Sequence, residues 1–470
     1  MRRAAIVMPM RTPVGLPGGA LSGVAPRRLI STVLSAVVGR SGIDPHRIEQ
    51  LVTATPDAAA VRGAIPLAGL PCTLDEFAVG AGTGGGLRAL ITAAMMVQTG
   101  SADVVLALGA EYPGPPPRSG PAPAQPPAPQ RPAPGPRGNG PGGFDLSIAD
   151  GLRGNQRPDT RGGPGYVLRG GPPGPDTGEQ LAVWARADAA HGGRESKQVE
   201  LLAQHYGIGR AEADDFAAAS HRRAARARRQ GIFGAEIAPV VVNAVPDDVN
   251  SGVVQLVDRD EGLRDDVSHR AFAALEPFVP GGVRTVGNCS ARTLAAAGCL
   301  VVAEDRLDEL GLQALGYVAG WVAATGEPEA VLPVAGVAMD RVLARAGLTA
   351  NDLDLAEIDE TSAVEILALT RIWERENNGF DPVEQLNVHG AAIALGDPGN
   401  AGGLRMVTTL LHELDRRDGG FGLVATPTGP GRALAALFES ADVERAAPAP
   451  RGARFHGARQ SGGRGRHRGR

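Results

Sequence analysis

Cysteine and histidine, which often carry covalent and metal chemistry, are sparse in this chain of 470 residues. Its three cysteines are Cys72, Cys289 and Cys299, and no two of them have the C-x-x-C spacing typical of zinc sites and redox motifs. We therefore predict no metal site and no disulfide framework. Unpaired cysteines are the norm in a reducing compartment, so we expect a cytoplasmic protein.

A glycine-rich run precedes one of the helical patterns. It comprises Gly82 and Gly84–Gly86, at the start of the Ala/Leu/Met-rich segment 84–99. Free backbone N–H groups at a helix start can bind anions. The run matches a phosphate-binding loop only weakly, so we interpret it as flexible backbone at a helix start.

The composition excludes several classes of function. Charged residues make up 21% of the chain and the net charge is −4, which argues against nucleic-acid binding through whole-chain charge. Aromatic residues are only 4%, which disfavours a base-stacking or sugar-stacking surface. No uninterrupted apolar stretch of about 18 residues exists, so we expect no membrane span, and the N-terminus does not resemble a signal peptide.

Apolar strand-like runs alternate with helical patterns in both halves of the chain. The predicted strands are 4–9, 50–54, 103–109, 237–242, 253–257, 299–303, 315–323, 353–358 and 421–426, with a further apolar segment at 433–438. The predicted helical segments are 27–41, 84–99, 179–230, 335–346 and 402–415. Continuous apolar strands between helices are typical of sheets covered on both faces. We predict an internally duplicated α/β fold.

Two segments have compositions that disfavour regular structure. Residues 114–174 are rich in proline and glycine, and residues 441–470 are rich in arginine and glycine. Proline removes backbone donors, and neither segment offers much apolar surface for burial. We expect both to be disordered. The alternative for the proline-rich segment is a docking site for a partner. The alternative for the arginine-rich segment is contact with anionic partners.

Five blocks, in order along the chain, resemble the thiolase family. They are RTPVGLPGGALSG at 11–23, SADVVLALGAEYPG at 101–114, YGIGRAEADDFAAASHRRAARARRQGIFGAEIAPVVV at 206–242, VRTVGNCSA at 283–291 and NVHGAAIALGDPGNAGGLR at 387–405. The correspondence to the family runs through nearly the whole chain, from about Arg3 to Glu439. This order of blocks makes the resemblance specific, although no single block would suffice.

The resemblance implies a thiolase-type duplicated five-layer αβαβα core with an inserted loop domain. We expect the first half at 1–112 and about 243–285, the loop domain at 113–242, and the second half at 286–440. The family forms or cleaves 3-ketoacyl-CoA in acyl-CoA metabolism, so CoA or acyl-CoA is the implied ligand, with no permanently bound cofactor. A homodimer or homotetramer is also implied.

The family's catalytic positions carry other residues here. Thr83 stands at the nucleophilic cysteine, Asp397 at the histidine of G-H-P, and Pro427 at the second cysteine. In the family's N-E-A-F-A block, Asp359 replaces the asparagine that positions a water, and Glu360 follows it. A threonine hydroxyl is a poor nucleophile without a strong base, and proline has no titratable group. Aspartate acts as a base at neutral pH only if its pKa is raised.

The resemblance also implies residues on the CoA side of the site. Ser290 matches a family serine near the pantetheine, with Asn288 beside it, and Gly429 and Gly431 remain from the family's glycine loop. His389 is eight residues from the G-H-P position. We interpret His389 as structural, with a substitute catalytic role as the alternative.

Three functional hypotheses follow from these substitutions. The first is an ordinary acetyl-CoA C-acyltransferase. The second is an impaired or non-catalytic thiolase-like protein, which we favour because the cysteines and the histidine are all replaced. The third is a divergent enzyme on the same scaffold, such as a thiolase-like aldolase that uses Asp397, Asp359 and Glu360. An acid/base mechanism of that kind needs groups with separated pKa values.

Overall fold

A computed structural model describes most of the chain with full side chains. The described residues are 2–80, 82–112, 193–243, 254–264, 267–327, 333–376, 380–429 and 431–441. The predicted Pro/Gly-rich insertion at 114–174 and the tail beyond residue 441 lie outside them.

The described residues form strands and helices in alternation. The strands are β1 (Ala4–Arg11), β2 (Gln50–Ala54), β3 (Asp75–Ala78), β4 (Val104–Glu111), β5 (Val240–Asn243), β6 (Val254–Val257), β7 (Ala295–Ala303), β8 (Gly316–Thr325), β9 (Leu355–Ile358), β10 (Phe421–Gly429) and β11 (Arg432–Ser440). The helices are α1 (Pro26–Ser41), α2 (Ala58–Leu67), α3 (Gly85–Thr99), α4 (Gly193–Tyr206), α5 (Arg210–Arg229), α6 (His269–Ala273), α7 (Leu307–Leu310), α8 (Val334–Ala346), α9 (Ala363–Glu376), α10 (Pro382–Gln385), α11 (Ala392–Leu395) and α12 (Gly402–Arg416).

The sheet topology shows the duplication directly. Nine strands pair in the order β3–β2–β4–β7–β1–β8–β11–β10–β9. In the first half β2 and β4 are parallel, and β7 is antiparallel to both β4 and β1. In the second half β9 and β10 are parallel, and β11 is antiparallel to both β10 and β8. The same pattern of neighbours and directions therefore occurs twice, and only the short β1–β8 pairing joins the two halves into one sheet.

Helices cover both faces of each half-sheet. One hydrophobic cluster packs α1 and α2 on the outer face of the first half, and another packs α8 and α9 on the outer face of the second half. The third cluster lies between the halves and contains the buried faces of α3 and α12. This order of helix, sheet, helix, sheet, helix confirms the predicted five-layer αβαβα core.

The pairing of β7 shifts the boundary between the two halves from the predicted position. The expected division at residue 286 assigns 295–303 to the second half, whereas β7 pairs with β4 and β1 of the first half. The change of half falls between β7 and β8. Sequence cannot show this, because an apolar strand carries no mark of its neighbours.

The helical segment predicted at 179–230 is divided in two. Residues 179–192 lie outside the described part of the chain, and α4 and α5 are separated at 207–209. Gly207 there has a φ of 62°, a left-handed conformation that ends a helix. The buried alanines of α5, among them Ala213 and Ala217, share a hydrophobic cluster with Val364 and Ala368 of α9. The loop-domain helix therefore packs directly on the second half.

A buried ion cluster joins later segments to the end of β1. The Arg11 side chain is 0% exposed, and its Nε donates to Glu236 Oε1 at 2.8 Å. Its Nη1 donates to Asp260 Oδ1 at 2.6 Å, and that oxygen also accepts from the N–H of Val14. A buried ion that loses its partner carries a large desolvation cost. Arg11 therefore fixes two distant segments beside the first strand.

Replacing Arg11 by methionine should strongly destabilise the protein. Arg11→Met leaves two buried carboxylates without their cation, which costs about 3–5 kcal/mol of unfolding free energy. The measurement is urea denaturation. The control is Arg47→Met, because Arg47 and its partner Glu309 are 50% and 46% exposed and such a pair contributes only about 0–1 kcal/mol. Equal losses in the two variants would contradict the assignment.

Candidate functional site

The turn that holds Thr83 lies at the start of α3, against the end of β10. Thr83 is half-buried, and the next residue, Gly84, has a φ of 79°. A Cβ on Gly84 would lie 2.7 Å from Thr428 Cγ2 and 3.1 Å from Thr426 Cγ2. Pro427, which is half-buried, lies between those threonines. The structure therefore brings the Thr83 and Pro427 positions together, although they are far apart in sequence.

The other side of the same turn contacts the Gly396–Asn400 segment. The N–H of Gly82 donates to Asn400 Oδ1 at 2.6 Å, and the Asn400 Nδ2 donates to Glu111 Oε2 at 2.6 Å. Asn400 thereby connects the glycine turn to the end of β4. Asp397, three residues earlier, belongs to the same segment, and its Oδ1 accepts the N–H of Gly399 at 2.8 Å.

Asp359 completes this group of positions. It directly follows β9, is 7% exposed, and its Oδ2 accepts the hydroxyl of Thr426 at 3.1 Å. Burial and, after it, the neighbouring charge of Asp397 together raise the pKa of Asp359 to about 7. Burial also raises the pKa of Asp397. Thr83, Pro427, Asp397 and Asp359 are therefore brought together at one place between the halves, which we call the cleft.

Glu360 faces away from this cleft although it is adjacent to Asp359. Its side chain is 0% exposed, and it accepts hydrogen bonds from Ser220 Oγ, Asn387 Nδ2 and the N–H of Ile393. Both carboxylate oxygens are occupied by these bonds. Glu360 therefore connects the loop domain to the second half, and the geometry gives it no open position for a substrate.

The residues expected on the CoA side divide in the same way. Asn288 is 0% exposed, and its Nδ2 donates to Asp214 Oδ1 and to the carbonyl of Val283, both at 2.9 Å. These two hydrogen bonds give the Asn288 amide a role in the framework. Ser290 is half-buried and its N–H donates to the carbonyl of Thr361. Ser290 therefore contacts the chain segment that follows β9, at a residue two positions after Asp359 in sequence.

Of the two glycines expected from the family's loop, Gly429 ends β10 and Gly431 lies just before β11. Gly429 has a φ of 128° and Gly431 a φ of 62°. Both angles are in the region that favours glycine. These residues shape the hairpin that follows Pro427, so their position in the structure is explained by the turn itself.

No cysteine occupies the cleft. Cys72 is exposed in the turn before β3, and Cys299 is buried inside β7, where burial raises the pKa of its thiol. Cys289 is buried, and Arg284 Nε donates to its Sγ at 2.9 Å. The chain has three cysteines in total, so none is present beside Gly84 to replace Thr83.

His389 has a structural environment of its own. It is 4% exposed, its Nε2 lies 2.8 Å from Glu413 Oε2, and its ring contacts Phe233 edge-on. The pKa of Glu413 is held below its usual range by the hydrogen bond from His389 and those from Arg416 and Arg417, which outweigh the cost of burial. These contacts match the structural interpretation of His389.

Three residues of the site could not be identified from sequence reasoning. Asn400 and Glu111 connect the glycine turn to β4, and burial raises the pKa of Glu111. Arg405, on α12, is 2% exposed, and its Nη1 lies 4.0 Å from Glu357 Oε2. Its charge lowers the pKa of both Asp359 and Asp397 without cancelling the effect of burial. The sequence feature that indicates a place near the site is the location of Asn400 and Arg405 within the GDPGNAGGLR block.

The described residues contain no group of three or more His, Cys, Asp or Glu side chains arranged to hold a metal ion. Within the same residues, no helix has the length and apolarity needed to cross a membrane.

The fold and the cleft define a duplicated αβαβα scaffold with its candidate site between the two halves. The model of the thiolase N-terminal domain matches residues 4–120 and 180–305, and that of the thiolase C-terminal domain matches 312–440. The chain belongs to the thiolase family.

Individual proteins agree with this assignment. The chain is 33% identical over 444 residues to an acetyl-CoA acetyltransferase of Chromobacterium violaceum, covering 93% of this chain and 99% of that one. It is 31% identical over 445 residues to an acetyl-CoA acetyltransferase of Paracoccus denitrificans, covering 93% and 100%.

Solved structures show the same fold. The acetyl-CoA acetyltransferase of Syntrophomonas wolfei superposes with a TM-score of 0.72 at 25% identity, covering 94% of this chain and 100% of that one. Human mitochondrial 3-ketoacyl-CoA thiolase superposes with a TM-score of 0.69 at 22% identity, covering 93% and 99%, and supports the fold alone.

A pair of glycine substitutions tests the contact that forms the cleft. Gly84 and Gly100 flank α3 with similar φ angles of 79° and 77°, but a Cβ on Gly100 would meet nothing within 4 Å. Gly100→Ala should therefore cost only the backbone strain, about 1–2 kcal/mol. Gly84→Ala should cost a further 1–3 kcal/mol or so because it overpacks the Thr426–Thr428 segment. Urea denaturation measures both, and equal costs would contradict the contact.

Proposed function

We propose that this thiolase-family protein binds CoA or its thioesters in the cleft between the halves and lacks cysteine-based thiolase turnover. The observation that carries the proposal is Thr83 at the start of α3, with no thiol beside it. Asp397 and Pro427 replace the other two reactive groups in the same cleft. Acyl transfer through an enzyme nucleophile needs both an activated nucleophile and a base.

Several features support retention of the ligand. The two relatives described above are acetyl-CoA acetyltransferases, and the thiolase domain models match the residues on both sides of the cleft. Ser290 remains half-buried at the position implied for pantetheine contact. The three cysteines form no disulfide, which is consistent with the cytoplasmic location that we infer.

A carboxylate-based reaction on the same scaffold is a second candidate. One observation favours it: Asp359 and Asp397 lie in the cleft with raised pKa values, as an acid/base mechanism requires.

Restoring the thiol alone should not restore thiolysis. We expect calorimetric titration of the wild type to detect binding of CoA, and an assay with acetoacetyl-CoA plus CoA to detect no turnover. Thr83→Cys should remain at the background rate, because groups that act as a unit are strongly non-additive. The variant to compare with Thr83→Cys is the triple variant Thr83→Cys, Asp397→His and Pro427→Cys, because it introduces all three reactive groups together.

The control for this series is Thr92→Cys, which adds a thiol to α3 outside the cleft at another half-buried threonine. Intact-mass measurement after incubation with acetyl-CoA should show no acetyl adduct on the wild type. A stoichiometric adduct at Thr83, or substantial turnover by Thr83→Cys alone, would overturn the assigned roles. Failure to bind CoA would overturn the proposal of a ligand site.

We also infer a homodimer or homotetramer. β3 lies at one edge of the nine-stranded sheet, where its outer backbone groups have no strand partner among the described residues. Phe77 on this strand is 36% exposed. An exposed edge strand is a surface on which another chain can pair.

Light scattering at micromolar concentration should therefore give twice or four times the monomer mass of 48.2 kDa. Phe77→Asp should shift this mass toward the monomer, because a charge opposes strand pairing at an edge. Val383→Asp is the control, since Val383 is 66% exposed on α10, away from β3. A monomeric wild type would contradict the inference.

A further inference from the structure

The two aspartates of the cleft share an unusual hydrogen-bonding pattern. Asp359 is held through Oδ2 by the hydroxyl of Thr426, and Asp397 is held through Oδ1 by the N–H of Gly399. Within the described residues, Asp359 Oδ1 and Asp397 Oδ2 accept no hydrogen bond. Each carboxylate is therefore oriented by one oxygen and leaves the other available.

The adjacent acid Glu360 lacks this property. Both oxygens of Glu360 are occupied by Ser220, Asn387 and the backbone of Ile393. Glu111 accepts two bonds from Asn400, both through Oε2, and these link it to the glycine turn. Glu360 therefore serves the framework, whereas Asp359 and Asp397 each have an oxygen that can meet a ligand.

The charges around the pair keep a proton near it at neutral pH. Asp359 is faced by Asp397, Glu365 and Arg405, and burial together with Asp397 raises its pKa to about 7. Asp397 is faced by Arg292 and Arg405, and burial nevertheless raises its pKa. The pair is thus poised to accept and return one proton near neutrality, which is where a general acid/base is most effective.

We propose that Asp359, with Asp397 as the neighbour that tunes it, is a general base for the carbon beside the carbonyl of a CoA thioester bound in the cleft. The inference rests on the proposed binding of CoA thioesters. The free oxygen of Asp359 takes the proton, and the C–H bond breaks. The electron pair forms a C=C bond as the carbonyl becomes an enolate. Return of a proton to carbon regenerates the thioester, so no other reactant is consumed.

The start of α3 lies where it can assist this step. Gly84 contacts Thr426, which in turn holds Asp359. The first N–H groups of a helix have no partner within the helix, and they stabilise negative charge. The negative charge that develops on the thioester oxygen would therefore meet favourable dipoles in the same cleft. This step needs no thiol, so the replacement of the family's cysteines does not prevent it.

The test is hydrogen exchange of acetyl-CoA in D2O, followed by loss of the methyl proton signal in NMR spectra. We expect the wild type to exchange these protons at least tenfold faster than buffer. Asp359→Asn should reduce the rate to that of buffer, while its amide oxygen still accepts the Thr426 hydroxyl. The control is Asp340→Asn, which retains an acceptor for Trp373 Nε1 outside the cleft.

The pH dependence separates a base from a merely structural residue. A base must be deprotonated, so exchange by the wild type should rise with pH through about 7 and then level off. Asp397→Asn removes a negative charge that raises the pKa of Asp359, and the midpoint should move to lower pH. This second variant also tests the proposal should Asp359→Asn fail to fold.

The possible results distinguish the two proposals. Binding of acetyl-CoA in a calorimetric titration without exchange would overturn the base and leave the proposed ligand site intact. Exchange by Asp359→Asn at the wild-type rate, or an unchanged midpoint in Asp397→Asn, would also overturn it. Absence of binding would overturn both proposals.

Discussion

The close approach of α3 and α12 at the centre of the molecule is the constraint on which the site depends. Both helices begin with Gly-Gly-Leu, at Gly85–Leu87 and Gly402–Leu404. A Cβ on Gly86 would lie 3.3 Å from the nitrogen of Leu404, and one on Gly403 would lie 2.7 Å from that of Leu87. The contact is therefore reciprocal, as a duplicated fold requires. It brings the glycine turn of the first half beside the Gly396–Asn400 segment of the second.

This approach does not depend on the side chains that stand at the expected catalytic positions. The backbone contacts use glycines and the side chain of Asn400, and none of them needs a thiol or an imidazole. Asp397, at the position expected for the family's histidine, is held through Oδ1 by the N–H of Gly399. Asp359 and Asp397 lie where burial makes their negative charge costly. Arg405 offsets that cost only in part.

The sequence predicts the fold better than it predicts the site, for a physical reason. Strand and helix patterns are local, so β1, β4, α1, α3 and α12 are found close to their predicted bounds. β3 was missed because its residues, Asp75–Ala78, include two acids and are largely exposed, as suits an edge strand. The links from Asn400 to Gly82 and Glu111 join residues about 300 positions apart and leave no local pattern. The sequence predicts an unbroken helical segment ending near 230, because the left-handed conformation of Gly207 cannot be read from its residue type.

Asp359 and Glu360 show that adjacent acids of one sequence motif can have different roles. The two acids are adjacent, and the motif alone gives both a place near the site. Successive side chains after a strand point to opposite faces, so one faces the cleft and the other the loop-domain helix α5. Glu360 has three donors and a framework role, whereas Asp359 has one donor and a free oxygen. Whether a buried acid can do chemistry is therefore decided by the hydrogen bonds it leaves unmade, and only the three-dimensional structure shows those.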